Sequence, residues 1–587
     1  MPATVCPDYV YLDYAATAPL CEEALEAMKP YLTCGRENLA LNMNANSLHS
    51  PGRAAFEALE AARKSIAHDV GASRPSEIIF TSGATESDDT VLLGIAPAAA
   101  EARRAKGISF TPHVIVSDIE HEAVLMPARR LEQEGFRVTR LRPDAEGFVT
   151  AEALSQAIDA DTVLVSVQAA NSELGSIQPI AELARISHES GALFHVDATQ
   201  ALGKMPVDVQ QWDVDAASFS AHKVGGPKGI GALYVKARTP FSAFELGGGQ
   251  EAGRRSGTQN VMGAAGFAAA CRAVCAMEPE ESARLRELRD HLYERLTQVK
   301  GVRATVDVPR GSERFLPNIV HIMVEDLESE TLILRLDMKG FGVSGGSACS
   351  SHSLEPSHVL RSIGVTGDEA YGALRISMGR YTTREDIEGF LRAFDEALDL
   401  LIEGLETKSH AKLKRAFARG IERMKQVSYD RSHLKPRVLI VGEYLLNFHP
   451  GANHDVELYL EKNGMEVIEA RMTDVIRKTY FYQHAQEKEY HVTRPFTEKA
   501  WHAVADSVFD VAHNTCDAIA SAHPLYEPPC RMPDLVRASD PIIHHTFDAG
   551  EGVLIPGEIL HHAAHGCTSF LILQPFGCLP NHVVGRG

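Results

Sequence analysis

Two rhythms of apolar residues run through the first two thirds of the chain. Short unbroken runs, such as Ile78 to Thr81, His113 to Val116, Thr162 to Val167, Ala192 to Val196 and Ala216 to Phe219, read as buried strands. Between them lie stretches with apolar residues three and four apart: Glu22 to Leu32, Arg53 to Val70, Ala123 to Gln133 and Ala151 to Ile158 read as helices. Val10 to Pro19 reads as a short apolar strand ending in small residues, and Asn44 to His49 as a polar loop. Strands alternating with helices predict parallel strands joined by crossover helices, an α/β fold.

In such sheets ligands gather at the carboxyl ends of the strands, so the residues after each apolar run are the ones that matter. His121 follows the 113–116 run; Asn171 and Glu173 follow the 162–167 run; Asp197 and Gln200 follow the 192–196 run. After Ile78 to Thr81 comes Ser82-Gly83-Ala84-Thr85-Glu86-Ser87, whose small residues let backbone N–H groups approach an anion at a helix start. The same stretch is equally an ordinary capped helix start with Ser82 or Thr85 as N-cap.

The run ending at Phe219 leads into Ser220-Ala221-His222-Lys223-Val224-Gly225-Gly226. A lysine at the end of a buried strand is where burial lowers an ammonium pKa and frees the amine to form a Schiff base with a carbonyl compound. Pyridoxal phosphate fits that role. Asp197 would keep its ring nitrogen protonated, His121 could stack on the ring and Gln200 could bond the phenolic oxygen.

A second centre lies at Phe341 to Pro356, where three glycines and five serines surround Cys349. An approachable thiol in a polar loop is a candidate nucleophile. Arg375 is alone in the apolar run Ala373 to Ser377, so it either pairs internally or grips a substrate carboxylate.

The bulk properties narrow the class. The 587 residues suit several domains, and 44% hydrophobic with 23% charged residues is the composition of a globular enzyme. A net charge of −20 argues against a nucleic-acid or membrane binder. Ten scattered cysteines without C-x-x-C pairs point to free thiols in a reducing compartment. The start has no basic-then-apolar leader and no long uninterrupted apolar span follows, so the expected location is cytoplasmic.

Residues from about 9 to 400 resemble a pyridoxal-phosphate-dependent cysteine desulfurase of the aspartate-aminotransferase-like fold type I. The resemblance is carried by Tyr11 to Thr17, Thr81 to Asp88, His195 to Gln200, Ser220 to Lys223, Arg255 to Thr258 and Gly346 to Ser351, in that order. The serine-rich cysteine loop resembles the long-loop group that serves iron–sulfur assembly. The resemblance implies a large domain at about 20–265 and a small domain at about 266–400 with the N-terminal segment. It implies L-cysteine as substrate, a sulfur-acceptor protein such as an iron–sulfur scaffold as partner, and a homodimer. Catalysis would rest on Lys223, Cys349 and His121. Ala84, Thr85, Ser220, His222 and, from the other subunit, Thr258 would hold the cofactor phosphate. Asn171, Ser172, Asp197 and Gln200 would contact the rest of the cofactor, and Asn44 and Arg375 would bind substrate. Cys349 is also a candidate transient iron–sulfur ligand.

One departure stands out: the family's Asn-Asn-Glu is Asn171-Ser172-Glu173 here, and Ala169 replaces a histidine. Serine keeps one donor with a shorter reach, which bears on rate or substrate preference. The alternatives are a selenocysteine lyase, or a scaffold whose enzyme half has lost turnover.

Beyond residue 407 the composition shifts. Lys408 to Arg437 holds ten basic and two acidic residues, with Leu413, Phe417, Ile421 and Met424 at helical spacing, and reads as a basic linker helix. Arg437 to Glu443 is a strand opening a second α/β unit. Residues from about 436 onward resemble part of the activator proteins of 2-hydroxyacyl-CoA dehydratases, through Phe448 to Asn453, Gly550 to Gly552 and Gln574 to His582. Cys516, Cys530, Cys567 and Cys578 could ligate an iron–sulfur cluster only if the fold gathers them.

Overall fold

In the computed structural model the described residues are 9–325, 327–346, 357–365, 367–405, 414–415, 417–419, 421–422, 425, 435–442, 456–469, 474, 477–478, 489–491, 493–544 and 553–573. They divide into two compact units, Met1–Leu398 and Asp399–Gly587.

The first unit begins with β1 (Val10–Tyr11), α1 (Glu22–Met28) and α2 (Ser50–Asp69). Pro30 ends the predicted 22–32 helix early, so its last residues form a separate tight turn at Lys29–Tyr31. The second helix starts ahead of its expected Arg53, because His49 accepts the Gly52 N–H as N-cap and Pro51 is pre-shaped for the first turn. Then come β2 (Ile78–Thr81), α3 (Ala84–Thr90), α4 (Ala96–Arg104), β3 (His113–Ser117), α5 (Glu122–Gln133), β4 (Arg137–Leu141), α6 (Ala151–Ala157), β5 (Thr162–Ser166), α7 (Ile180–Glu189), β6 (Leu193–Asp197), β7 (Ala216–Ser220), β8 (Gly231–Val235) and α8 (Val261–Leu296).

Seven of these strands form one sheet in the order β2-β8-β7-β6-β5-β3-β4. The strands expected to run parallel do so from β4 to β7, whereas β8, which the sequence analysis did not single out, runs antiparallel to both β2 and β7. A short return from β7 through the glycine turn forces that direction, because parallel neighbours need a long crossover. β2, β3, β5, β7 and β8 are buried throughout, which explains their unbroken apolar runs. Helix α8 is long and apolar enough in one window to cross a membrane by composition alone. Its Phe267, Ala270 and Cys271 are instead part of the core, and the helix packs on α1 and α2.

The smaller lobe contains β9 (Val302–Ala304), β10 (Ile319–Val324), α9 (Ser329–Met338), β11 (Phe341–Gly342), α10 (His358–Ser362), β12 (Ala373–Ser377) and α11 (Arg384–Leu405). β10 lies between β12 and β9, antiparallel to both. β1 returns to this lobe and pairs in parallel with β11, placing Leu12 to Thr17 at the junction of the lobes.

In the second unit β13 (Arg437–Gly442), α12 (Val456–Lys462), β14 (Glu466–Glu469), α13 (Phe496–Ala520), α14 (Met532–Ser539), α15 (Leu554–Ala564) and β15 (Ser569–Leu573) are described. β13 lies between β14 and β15, parallel to both, and Leu439, Val441, Ile555 and Cys567 form a small core. This is an α/β arrangement. Within the expected linker helix, residues 414–415, 417–419 and 421–422 are helical, with Ile421 buried and Phe417 exposed; Leu413 and Met424 lie outside the described residues.

Candidate active site

A cavity of about 580 Å³ opens above the carboxyl ends of the central strands, bordered by the Ala15–Thr17 segment, the start of α3 and the turn after β7. β6 delivers Asp197 to its floor, 8% exposed, where Oδ1 accepts the Thr199 N–H at 2.9 Å. The turn after β7 delivers Lys223, whose Nζ donates to Ala15 O at 2.5 Å and Ala16 O at 2.9 Å. Lys223 is half-buried, less enclosed than a strand end would suggest, because a single tight turn carries it away from β7.

His121 is the N-cap of α5: its Nδ1 accepts the Ala123 N–H at 3.1 Å, which leaves the ring hydrogen on Nε2. Burial lowers its pKa, and Lys223 opposes its protonation further. Burial, then Lys223 and Lys228, hold His222 down to about 4, and its Nδ1 meets Thr17 Oγ1 at 3.1 Å. Both imidazoles are therefore neutral near pH 7.

At the other end of the cavity Ala84 and Thr85 open α3, whose first N–H groups lack partners within the helix. The Ser82 N–H is not available to a ligand there, since it goes to Glu86 Oε2 at 2.7 Å. Glu86 is in turn neutralised by Arg255, at 2.8 Å. Ser220 borders the same end. A Cβ on Gly231 of β8 would lie 2.7 Å from Gly83 Cα, so glycine is required for the cup to press on the sheet.

Arg375 reaches the cavity from β12, 1% exposed. It pairs internally, Nη2 with Asp13 Oδ1 at 2.8 Å, while Nε stays buried without a hydrogen-bond partner among the described residues. Nη1 donates to Ser172 O at 3.0 Å, and Ser172 borders the cavity.

Three further expected residues do not border the cavity within this chain, Thr258 being expected from the other subunit. Asn171 is buried, but its Oδ1 accepts the N–H groups of Glu173 and Leu174 and its Nδ2 donates to Ile119 O; it shapes the turn and does not border the cavity. Asn44 is exposed and bonds Asn46. Thr258 is exposed on the loop after Arg255. Cys349, in 347–356, and Cys578 lie outside the described residues.

Several residues of the site escaped the sequence reading. Lys204 is buried beside Gln200, four positions earlier, a helix-like spacing that could have flagged it. Asp88 and Glu120 are buried acids near Asp197; Asp88 stands at the end of a motif already singled out, and Glu120 directly precedes His121. Burial pushes Asp88 far up, and Asp197 adds to the effect. Burial likewise raises Glu120 to about 8. Beside Asp88, His195 is sandwiched between Ser166 Oγ at 2.8 Å and Ser218 Oγ at 3.0 Å.

Residues 10–390 match the family described as aminotransferase class-V. The chain belongs to this family. Among class-V relatives, it is 43% identical to the cysteine desulfurase IscS of Dictyoglomus turgidum over 400 residues, covering 68% of this chain and 96% of that one. It is 41% identical to the cysteine desulfurase IscS 1 of Archaeoglobus fulgidus, covering 68% and 98%. Among solved structures, a NifS-like protein superposes with a TM-score of 0.60 at 37% identity, covering 67% of this chain and 99% of that one. The structure titled SspA in complex with cysteine gives 0.53 at 33% identity, covering 64% and 100%.

Class-V aminotransferases depend on pyridoxal phosphate, and the cavity suits it. It offers an amine, a buried carboxyl and a small-residue anion cup on three sides, and Thr199 Oγ1 is a further buried polar atom without a partner among the described residues. No three metal-ligating side chains converge among the described residues, and Cys516 is exposed while Cys530 and Cys567 are buried free thiols.

Proposed function

We propose that this class-V chain removes sulfur from L-cysteine, releasing L-alanine and leaving a persulfide on Cys349. The observation that carries the reading is the convergence of Lys223, Asp197 and Arg375 on one cavity, an amine, a carboxyl and a guanidinium with an unused N–H. When bound, pyridoxal phosphate supplies an electron sink for charge that develops at the substrate Cα. Asp197 holds a proton on the ring nitrogen. Arg375, braced by Asp13, takes the substrate carboxylate. Lys223 removes the Cα proton, and neutral His121 can donate from Nε2 without adding positive charge beside it.

The Cys349 thiolate then attacks the substrate sulfur. An S–S bond forms, the substrate Cβ–S bond breaks with its electron pair left on the substrate fragment, one proton is taken up at Cβ, and the proton held by Lys223 returns to Cα to complete alanine. The persulfide sulfur passes to an acceptor thiol, such as that of an iron–sulfur assembly protein, in a reducing cytoplasm. A homodimer would bring Thr258 of the other copy to the phosphate cup. The C-terminal unit, through its likeness to part of the dehydratase activators, is read as a docking or sulfur-accepting module.

Replacing Cys349 with serine tests the assignment. The variant keeps the visible absorbance of the bound cofactor and releases no alanine from cysteine; undiminished alanine release would overturn it.

A further inference from the structure

Lys204 is a buried lysine for which the chemistry above has no use. It is 9% exposed, and Ser282 Oγ fixes its backbone by donating to Lys204 O at 3.0 Å. Among the described residues its Nζ donates to one acceptor, Gln200 Oε1, at 3.1 Å. A small cavity of about 70 Å³ behind Lys223 is lined by Lys204 together with Lys223, Tyr14, Asn318, Glu281 and Arg380. Lys223 and Arg375 are the cations that bear on it, and with burial as the larger cause they bring its ammonium down to about 7. A buried amine among cations is an expensive way to fill space, and a methionine would pack there at no such cost.

The return for that cost is geometric. A side-chain amide can face either way, and only its partners decide which end is oxygen. An ammonium Nζ can only donate, so the end of Gln200 that faces it is Oε1. The NH₂ end is thereby turned to Ala15 O, which Nε2 meets at 2.9 Å, and towards the cavity. Ala15 O, which also accepts from Lys223 Nζ at 2.5 Å, favours the same orientation but supplies no donor for the oxygen end, which is left to Lys204. Gln200 is 7% exposed, so without Lys204 its oxygen would be buried with no donor and the amide would turn or shift to find one.

We infer that Lys204 is a positioning residue which, through its bond to Gln200 Oε1, keeps the amide hydrogen of that glutamine not taken by Ala15 O aimed into the cavity. The inference rests on the proposed cofactor reading, in which that hydrogen meets the phenolic oxygen. A donor to an anionic oxygen favours the less protonated form, so losing it raises the pH at which the bound chromophore gains a proton.

The test is a pH titration of the visible absorbance of the cofactor-loaded protein. Lys204→Met, which keeps the stem and removes the donor, is expected to move the midpoint up by about half a pH unit or more. Gln200→Ala should move it in the same direction, and adding Lys204→Met to Gln200→Ala should move it no further. Lys204→Leu serves as the second donor-free variant if the methionine chain does not fold. A shift for Gln200→Ala with none for the Lys204 variants overturns the role of Lys204 and leaves the cofactor reading standing. Additive shifts in the double variant also overturn it, because Lys204 would then act independently of Gln200. A wild-type protein with no visible absorbance from a bound cofactor overturns the cofactor reading and this inference together, and a visible band that does not titrate overturns this inference alone.

Discussion

Ser357 Oγ donates to Glu173 Oε2 at 2.7 Å, and the same oxygen lies 3.4 Å from where a Cβ on Gly346 would stand. The two described residues that bracket the cysteine segment therefore meet at one carboxylate. That carboxylate directly follows Ser172, which borders the cavity. Segment anchoring and substrate site share a single short turn, held by Asn171 through the N–H groups of Glu173 and Leu174.

Removing the anchor should uncouple sulfur transfer from cofactor binding. Glu173→Ala is expected to lower persulfide formation on Cys349 by roughly tenfold to a hundredfold, the cost of slight misplacement of a reacting group. Its cofactor absorbance should match the wild type. Quantifying persulfide by alkylation and peptide mapping checks this; an unchanged yield would dismiss Glu173 as an anchor.

Ser172 borders the cavity, and its carbonyl is an acceptor for Arg375. Ser172→Asn restores reach and a second donor. An extra hydrogen bond of about 1 kcal/mol should raise kcat/KM for cysteine by roughly fivefold. Steady-state alanine release by both proteins is the measurement, and a fall in kcat/KM would mean that the shorter residue is adapted to this cavity.

Asp13 and Arg375 are far apart in sequence and joined by a 2.8 Å ion pair. With Asp13→Asn the guanidinium loses a charged brace, and the substrate carboxylate should be gripped less well. KM for cysteine is expected to rise about tenfold with a smaller change in kcat, because the lost interaction acts on bound substrate and transition state alike. A large fall in kcat at constant KM would place Asp13 in the chemical step instead.

Glu120 makes stability depend on pH in a definite direction. Burial raises its carboxyl from 4.5 to about 8, so between those values the unfolded chain has released a proton that the folded chain keeps. Its contribution is fully present below pH 4.5 and is lost as pH rises through about 8. Gln168 N–H, at 2.8 Å, and Ser117 Oγ–H both donate to Oε1, bonds that a glutamine oxygen can accept equally well. Glu120→Gln should therefore gain on the wild type by up to about 1.4 kcal/mol per pH unit across that window. Thermal melting of both proteins at pH 5 and pH 8 measures the gap; a gap that stays constant would mean that Glu120 is already ionised in the folded chain.

The sequence by itself determined the strands β2 to β7 and which polar residues stand at their ends. Unbroken runs such as Thr162 to Val167 persist because both faces of β5 are buried, and that constraint is local enough to read. The placing of Asp197, His121, Ser220 and Lys223 around one cavity follows once those strands share a sheet. The tertiary structure alone decided the rest. The reversed direction of β8, the withdrawal of Asn171 into a turn, and the pairing of Arg375 with Asp13 depend on segments brought together from distant parts of the chain. Lys204, Asp88 and Glu120 look like ordinary surface charges in a sequence, and only the packing around them removes the water that would have made them so. Periodicity records which face of an element is buried, whereas a charged group's chemistry depends on partners that no local pattern names.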